Sequence, residues 1–263
     1  MSRRDAPPIS PGVHERSAAI PTTPYRRGVG QGEWARDAEN WLSWARTPAH
    51  DAYWYYRGHF FDSIVPPPRR RTLEVGCGEG RVARDLAARG HRVTAVDTAY
   101  TLLHHAREAG SAGEWSVADG ASLPFPDRCF DTVVAYNALQ VVADMAGTVQ
   151  EVARVLVPGG HLCVCVSHPV TDLGRFLGDE EDAPYRMRSA YFDRRRIEDT
   201  VERGGLTMTF RGWTYTLEDY ASALAHAGFA IEAIGEPRPD RSGGRFTRWT
   251  RVPLFMTLRA VRQ

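Results

Sequence analysis

From residue 71 onward the chain alternates short apolar runs with amphipathic stretches, and this alternation restricts the fold more than any other feature. Residues 71–75 read as a short buried strand and residues 81–89 as a helix stopped by Gly90. Residues 92–96 read as a second strand ending at Asp97, and residues 101–109 as a helix stopped by Gly110. A third strand is expected at 115–117 and a fourth at 130–135. Residues 145–156 carry Met145, Val149, Val152 and Leu156 on one helical face. The Val-Pro-Gly-Gly run at 157–160 breaks that helix, and residues 161–166 form a fifth strand. Strands that are apolar throughout need cover on both faces. The pattern therefore predicts an α/β fold, a doubly wound and mostly parallel sheet between two helical layers.

The flanks differ in character. Residues 1–30 are rich in Pro, Arg, Gly and Ser and read as a flexible arm. Residues 31–68 read as an N-terminal helical cap: Trp34, Ala38, Trp41 and Ala45 fall at helical spacing, then Tyr53, Tyr56, Phe60 and Ile64, before Pro66-Pro67-Pro68 ends the pattern. The main domain is expected over 69–263, interrupted by an insertion at 168–214 after the fifth strand that reads as a lid. The insertion holds an expected hairpin, with strands at 200–203 and 206–210 around Gly204-Gly205. A helix at 216–227 opens on the box-like pair Thr216 and Asp219. Strands at 229–234 and 252–259 close the chain, and Pro253 predicts a late start or a free edge for the last one.

Charge and cysteine content exclude several classes of function. All 33 basic residues are Arg, and the net charge of +1 supplies no overall field for a nucleic acid. No apolar run is long enough to span a membrane, no secretory leader is evident, and a cytoplasmic location is expected. Cys77, Cys129, Cys163 and Cys165 form no CxxC pair, and no metal site is expected.

The chemistry concentrates between the first strand and the helix after it, in Leu73-Glu74-Val75-Gly76-Cys77-Gly78-Glu79-Gly80-Arg81. Glycines here permit sharp turns and let the backbone approach a bound nucleoside. The spacing is GxGxG, and Arg81 stands where a dinucleotide fingerprint has its third glycine. A bulky Arg at that point suits a pyrophosphate poorly, so a nucleoside without phosphate fits better. Asp97, 21 residues after Gly76, is placed to accept ribose hydroxyls. Asp119, after the third strand, is placed to accept an adenine amino group, with Ala121 and Leu123 beside the ring; the competing reading is a turn-stabilising side chain.

These segments, together with Leu123-Pro124-Phe125, Phe130-Asp131 and residues 156–160, resemble the class I S-adenosylmethionine-dependent methyltransferases, specifically the small-molecule type 11 (UbiE-like) group. The resemblance covers about residues 70–170 and implies a seven-stranded sheet of order 3-2-1-4-5-7-6 with strand seven antiparallel. It implies S-adenosylmethionine as cofactor and S-adenosylhomocysteine as product. Glu74, Gly76, Cys77, Gly78, Arg81, Asp97, Thr98, Asp119, Gly120, Ala121 and Asn137 are then the cofactor-binding candidates. Glu74 would meet the cofactor's amino group and Arg81 its carboxylate, the latter against a solvated helix-surface reading.

The acceptor side falls beyond the ends of strands one, four and five, at the topological switch point. Tyr136, Asn137 and Gln140 follow strand four, and His168 follows strand five. His168 is the candidate general base, and its competing role is to cap the strand end. Trp34, Tyr136, Gln140, Tyr191 and Trp213 are the candidate acceptor contacts, and Tyr25, Trp34 or Tyr136 could face the sulfonium. Arg194-Arg195-Arg196 reads as a solvated face, with an acidic substrate as the sharper reading. The expected partner is a small-molecule acceptor, with no nucleic acid and no membrane. The aromatic helices could equally pack on a second copy in a homo-oligomer. Three other readings stand beside this one: a protein that binds the cofactor without transferring its methyl (a cyclase or regulatory module), an RNA or protein methyltransferase, and a nicotinamide-dependent oxidoreductase, which Arg81 disfavours.

Overall fold

The structure is a computed structural model that describes residues 32–239 and 246–263; the expected arm, Tyr25 included, lies outside the described residues. The described chain opens with three short helices, α1 (Glu33–Arg36), α2 (Ala38–Arg46) and α3 (Tyr53–His59), the last running into a π-helical turn, Phe60–Ile64. Five strands follow as β1 (Thr72–Val75), β2 (Val93–Asp97), β3 (Glu114–Val117), β4 (Phe130–Tyr136) and β5 (Leu156–Ser167). All five pair in parallel, with β1 between β2 and β4. Helices α4 (Arg81–Ala88), α5 (Tyr100–Glu108) and α6 (Met145–Val155) make the crossovers.

The insertion contributes two small ribbons, β6 (Gly174–Phe176) with β7 (Tyr185–Met187), and β8 (Arg196–Arg203) with β9 (Leu206–Trp213). Gly204 and Gly205 both have positive φ, 55° and 76°, as a two-residue hairpin turn requires. Helix α7 (Leu217–His226) starts on a complete capping box between Thr216 and Asp219. The chain ends with β10 (Phe229–Gly235) and β11 (Phe255–Arg262). Of the main sheet's seven strands, β11 lies between β5 and β10 and is antiparallel to both. Counted within that sheet alone, the order is 3-2-1-4-5-7-6.

Strand alternation sorts the core into two layers. Leu73, Val75, Val133, Leu162 and Val164 face α6 and α7, meeting Val149, Val152, Tyr220 and Leu224. Val93, Ala95, Val134, Cys163 and Cys165 face the other way, meeting Tyr56, Phe60, Val82 and Leu86. The central strands β1, β4 and β5 are thus buried on both faces, with Trp41 of α2 against Gly78 after β1 and Gly212 of β9 against Gln140 after β4.

Two expectations need correction, and a third, left open between two outcomes, is resolved. The Trp34–Ala45 stripe is not one helix; the chain breaks at Asp37, which lies between α1 and α2. Residues 157–160 do not precede β5 but bulge within it: Phe130 pairs with Leu156, and the next pair is Thr132 with His161. The last strand has no free edge; it starts late, at Phe255, because Pro253 has no N–H to donate.

Leu162 is fully buried on a strand with neighbours on both sides. Leu162→Ala should cost about 2–5 kcal/mol by removing packed methyl groups and leaving a cavity. Urea unfolding of the two proteins measures this directly.

Candidate cofactor and acceptor site

The glycine-rich turn is held from several directions. The N–H groups of Gly76 and Cys77 donate to the Val96 carbonyl at 2.9 and 3.0 Å. Gly76 has φ +72°, and a Cβ there would stand 2.8 Å from the Ala138 side chain, so β1's turn packs directly on the segment after β4. Gly78 has φ +54° and donates its N–H to Asp97 Oδ2 at 2.8 Å. Asp97 Oδ1 accepts the Ala99 N–H at 2.8 Å. One carboxylate therefore ties the first loop to the second while keeping oxygen lone pairs for a ligand.

Glu79, which the sequence left without a role, is buried inside this turn. Its carboxylate accepts two bonds from Arg84 Nη2, at 2.7 and 2.8 Å, and one from Arg46 Nε at 3.0 Å. Glu74 is also buried, and its Oε2 has no hydrogen-bond partner among the described residues. Burial pushes the Glu74 carboxyl well above the usual carboxylate range, and the negative charges of Asp97 and Glu79 add to this. A buried acceptor of this kind, beside a glycine cradle and the Asp97 carboxylate, fits a nucleoside cofactor that carries an ammonium group. Burial likewise raises the Cys77 thiol well above its ordinary range, so the thiol is neutral packing. Thr98 is exposed beside Asp97.

Around the adenine position, Asp119 is exposed and its Oδ1 accepts the Ala121 N–H at 3.0 Å. It therefore stabilises its own turn while standing at the crevice rim. A Cβ on Gly120 would meet Thr148 at 2.9 Å, so the turn packs tightly on α6.

Beyond β4, Asn137 takes φ +53°, a conformation that Asn tolerates better than most residues. Its N–H donates to the Cys165 carbonyl at 2.7 Å, and its Oδ1 accepts from Gln140 Nε2 at 3.3 Å. Gln140 is buried, and its Oε1 has no partner among the described residues. Its carbonyl accepts the Trp213 N–H at 2.8 Å, which docks β9 beside the crevice. Trp213 also packs against the α6–α7 core layer, so only part of its ring is available to a ligand. Trp34 is half-buried on Ala99 and Leu102, next to the Asp97 loop.

Several residues do other work than the sequence predicted. Tyr136 turns away from the crevice into the opposite core layer, with ring centroids 5.4 Å from Tyr53 and 4.9 Å from Phe60. Tyr191 uses its hydroxyl to accept the Leu217 N–H at 3.0 Å, which steadies the start of α7. Arg81 is neither solvated nor directed at a ligand. It pairs with Asp51 at 2.6 Å and its guanidinium packs 4.9 Å from the Trp41 ring and 4.3 Å from Tyr53. The three consecutive arginines all bond within the molecule: Arg194 to the Tyr215 hydroxyl, Arg195 to the Asp172 carbonyl and Arg196 to Glu33.

His168 takes the capping role. Its Nδ1 accepts the Val170 N–H at 3.1 Å, so the ring proton sits on Nε2 and is donated to Glu236 Oε1 at 3.0 Å. Burial lowers its pKa, with Glu236 opposing the shift in part.

The sequence also missed Trp41. Its indole nitrogen lies 3.1 Å from where a Gly78 Cβ would be. The only sequence signal was its place in the α2 stripe, which reads equally well as core.

The comparisons with known proteins agree with this geometry. A family described as "Methyltransferase domain" matches residues 73–164. The chain is 32% identical over 166 residues to the demethylmenaquinone methyltransferase of Tropheryma whipplei (strain Twist), covering 60% of this chain and 65% of that protein, just under two thirds of its length. It is 32% identical over 186 residues to the malonyl-[acyl-carrier protein] O-methyltransferase of Erwinia pyrifoliae, covering 68% of this chain and 67% of that one. The crystal structure of an S-adenosylmethionine-dependent methyltransferase from Mesorhizobium loti shares the fold, with a TM-score of 0.65 at 24% identity over 81% of this chain and 98% of that one. The fold and the crevice define a Rossmann-like domain built for a nucleoside cofactor. The chain belongs to the class I S-adenosylmethionine-dependent methyltransferases.

The His168 ring gives a pH signature. Its folded pKa is depressed, so its contribution to stability is complete above its unfolded value, about 6.5, and is lost as pH falls through the folded value. His168→Gln should therefore lose less stability than wild type between pH 7.5 and 5.5 in urea unfolding. His91 and His161, also lowered by burial, and Asp172, raised to about 7 by burial and acting in the opposite sense, are common to both proteins and cancel in the comparison.

Proposed function

We propose that this protein transfers the methyl group of S-adenosylmethionine to a nucleophilic O, N or C atom of a small molecule. The observation that carries the reading is one crevice holding the Gly76–Gly78 cradle, the Asp97 carboxylate and the unpartnered oxygen of Glu74. In this reading Asp97 holds the ribose hydroxyls, Asp119 the adenine edge and Glu74 the ammonium. The cofactor supplies an already activated sulfonium methyl, which leaves the chain to position the acceptor and keep water out. Asn137 flanks the methionine end of the cofactor, and Gln140 orients the acceptor: its buried Oε1 accepts a hydrogen bond from a hydroxyl or amine on it. The aromatic roof of α2 and β9 favours a compact, mostly apolar molecule. The near-neutral net charge argues against a polynucleotide acceptor. Among the described residues no helix is long and apolar enough to cross a membrane.

Calorimetric titration with S-adenosylmethionine, S-adenosylhomocysteine and NADH tests the cofactor. Both S-adenosyl ligands should bind and NADH should not. Asp97→Ala should weaken binding about 10- to 100-fold, the value of a charge-assisted hydrogen-bond pair at about 1.5–3 kcal/mol. A folded protein that binds NADH, or neither S-adenosyl ligand, overturns the reading. Formation of S-adenosylhomocysteine on incubation with fractionated small-molecule extracts then separates transfer from binding alone.

The Glu74 carboxyl adds a linked prediction. Its pKa is raised, and a cationic ammonium beside it favours the ionised form, so binding should release a proton and affinity should rise with pH. Titrations in buffers of different ionisation enthalpy should show this release in wild type and lose it in Glu74→Gln.

A further inference from the structure

Two marginal elements support each other above the glycine turn. Helices α1 and α2 have four and nine residues, lengths that are not stable alone in water. The β8–β9 ribbon has two strands and, among the described residues, no hydrogen-bonded neighbour strand, and an isolated hairpin is at best marginally stable. Each is anchored to the body of the domain at one end, α2 by Arg46 on Glu79 and β9 by the Trp213 N–H on the Gln140 carbonyl, and between those anchors the two hold each other. Asp37 pairs with Arg211 across 174 residues of sequence, with the two side chains only 21% and 18% exposed. Arg211 also bonds Glu198 at 3.1 Å, which fixes its guanidinium on the ribbon. Phe210 sets its ring against Trp44 and Trp41, with centroids 5.6 and 6.4 Å away. Arg203 donates to the His50 carbonyl at 3.0 Å, and Glu33 pairs with Arg196 at the rim.

Asp37 shows what this contact displaces. It occupies the N-cap position of α2, where Asp normally accepts a backbone N–H and contributes about 1 kcal/mol. Its side chain makes no such bond and turns to Arg211 instead. The inner surface of the assembly reaches the cofactor turn through Trp41, whose indole nitrogen abuts Gly78. A ligand lying along the turn therefore lies under α2, and α2 is held in place by the ribbon.

We propose that α1–α2 and β8–β9 form a single two-part lid over the crevice, locked by the Asp37–Arg211 ion pair, so that Arg211 is a positioning residue for the bound cofactor. The proposal rests on the crevice being the S-adenosylmethionine site. The two parts open and close together, because the ion pair and the Phe210–Trp41–Trp44 contact couple their free ends while Arg46 and Gln140 keep each attached to the domain. Cofactor release then waits on breaking the latch, and the acceptor meets a closed roof only when both parts are seated.

The test uses the untagged full chain and S-adenosylhomocysteine. Dissociation is followed by stopped-flow displacement, with the roof tryptophans Trp34, Trp41 and Trp44 as reporters. Arg211→Glu and Asp37→Arg each place like charges opposite one another and should speed dissociation about tenfold or more, equivalent to about 1.4 kcal/mol. The exchanged pair, Asp37→Arg with Arg211→Glu, should return the rate to within about threefold of wild type, which a general loss of packing would not do. Arg211→Gln removes the charge without repulsion and should show a smaller increase in the same direction, covering the case in which a reversed charge unfolds the lid. Hydrogen exchange without ligand should accelerate together in residues 33–46 and 196–213, with the main sheet unchanged. Wild-type dissociation rates in folded single variants, or faster exchange in the ribbon alone, would overturn the proposal. Absence of S-adenosylhomocysteine binding to wild type would instead overturn the cofactor assignment, and the exchange measurement would still decide whether the two parts move together.

Discussion

The buried carboxylate of Glu79 is the interaction on which the site depends. Its side chain is fully buried within the glycine turn, where an unpaired charge would be prohibitively costly. Arg84 grips it from α4 and Arg46 from α2. The same two arginines reach further: Arg84 donates to the Glu79 carbonyl and to Ser111, and Arg46 to the His105 carbonyl at the end of α5. The cap, the turn, α4 and α5 are thus joined through one acidic residue. Both arginines are partly exposed, so the net stabilisation of each pair is modest. The penalty for breaking one is larger, because the carboxylate left behind has no water to turn to.

This arrangement explains which parts of the molecule could be read from sequence. The parallel core was legible because its signals are local: apolar runs such as Val93-Thr94-Ala95-Val96, separated by helical stripes, admit few other folds. The clustering of Glu74, Gly76, Gly78 and Asp97 was legible for the same reason, since they sit at the ends of adjacent strands, where topology alone brings them together. What could not be read depends on partners distant in sequence. Arg81 reads as a ligand contact or a solvated Arg until Asp51 is brought to it from the cap. Arg196 belongs to a charge run until Glu33 is found beside it. Tyr136 lies one residue before the crevice begins, and strand alternation, with the aromatic cluster of Tyr53 and Phe60, sends its ring to the other face. The β5 bulge was missed because Pro158-Gly159-Gly160 is a breaker by composition, while the pairing of Phe130 with Leu156 carries the strand past it.

The acceptor side is built from less regular backbone than the cofactor side. Asn137 holds a positive φ in a non-glycine residue, a strained conformation that persists only where surrounding contacts determine it. Those contacts are present: its N–H is bound to β5, and its side-chain oxygen is bound by Gln140. Gln140 in turn anchors β9 through the Trp213 N–H. A short chain of hydrogen bonds therefore runs from β5 through the segment after β4 into the insertion. It places the unpartnered Gln140 oxygen at the boundary between rigid sheet and marginally stable lid. Specificity for an acceptor can be set at such a point, because a buried acceptor atom left unpaired penalises the wrong molecule more than a pairing rewards the right one.

His168 shows how that chemistry is constrained. A general base needs a lone pair within reach of the acceptor's proton. The Nδ1 lone pair of His168 is committed to the Val170 N–H, and its Nε2 proton is committed to Glu236. Using either nitrogen would mean dismantling the end of β5, where His168 also donates its own N–H to Leu254. The imidazole is therefore spent on joining the insertion's first turn to Glu236, just beyond β10. What remains in the crevice is geometry, and under the proposed function it serves as a cradle for the methyl donor, with the Gln140 amide toward the acceptor and α2 and β9 as a roof. Methyl transfer by proximity and orientation requires no more than this of the protein, because the reactivity already resides in the sulfonium.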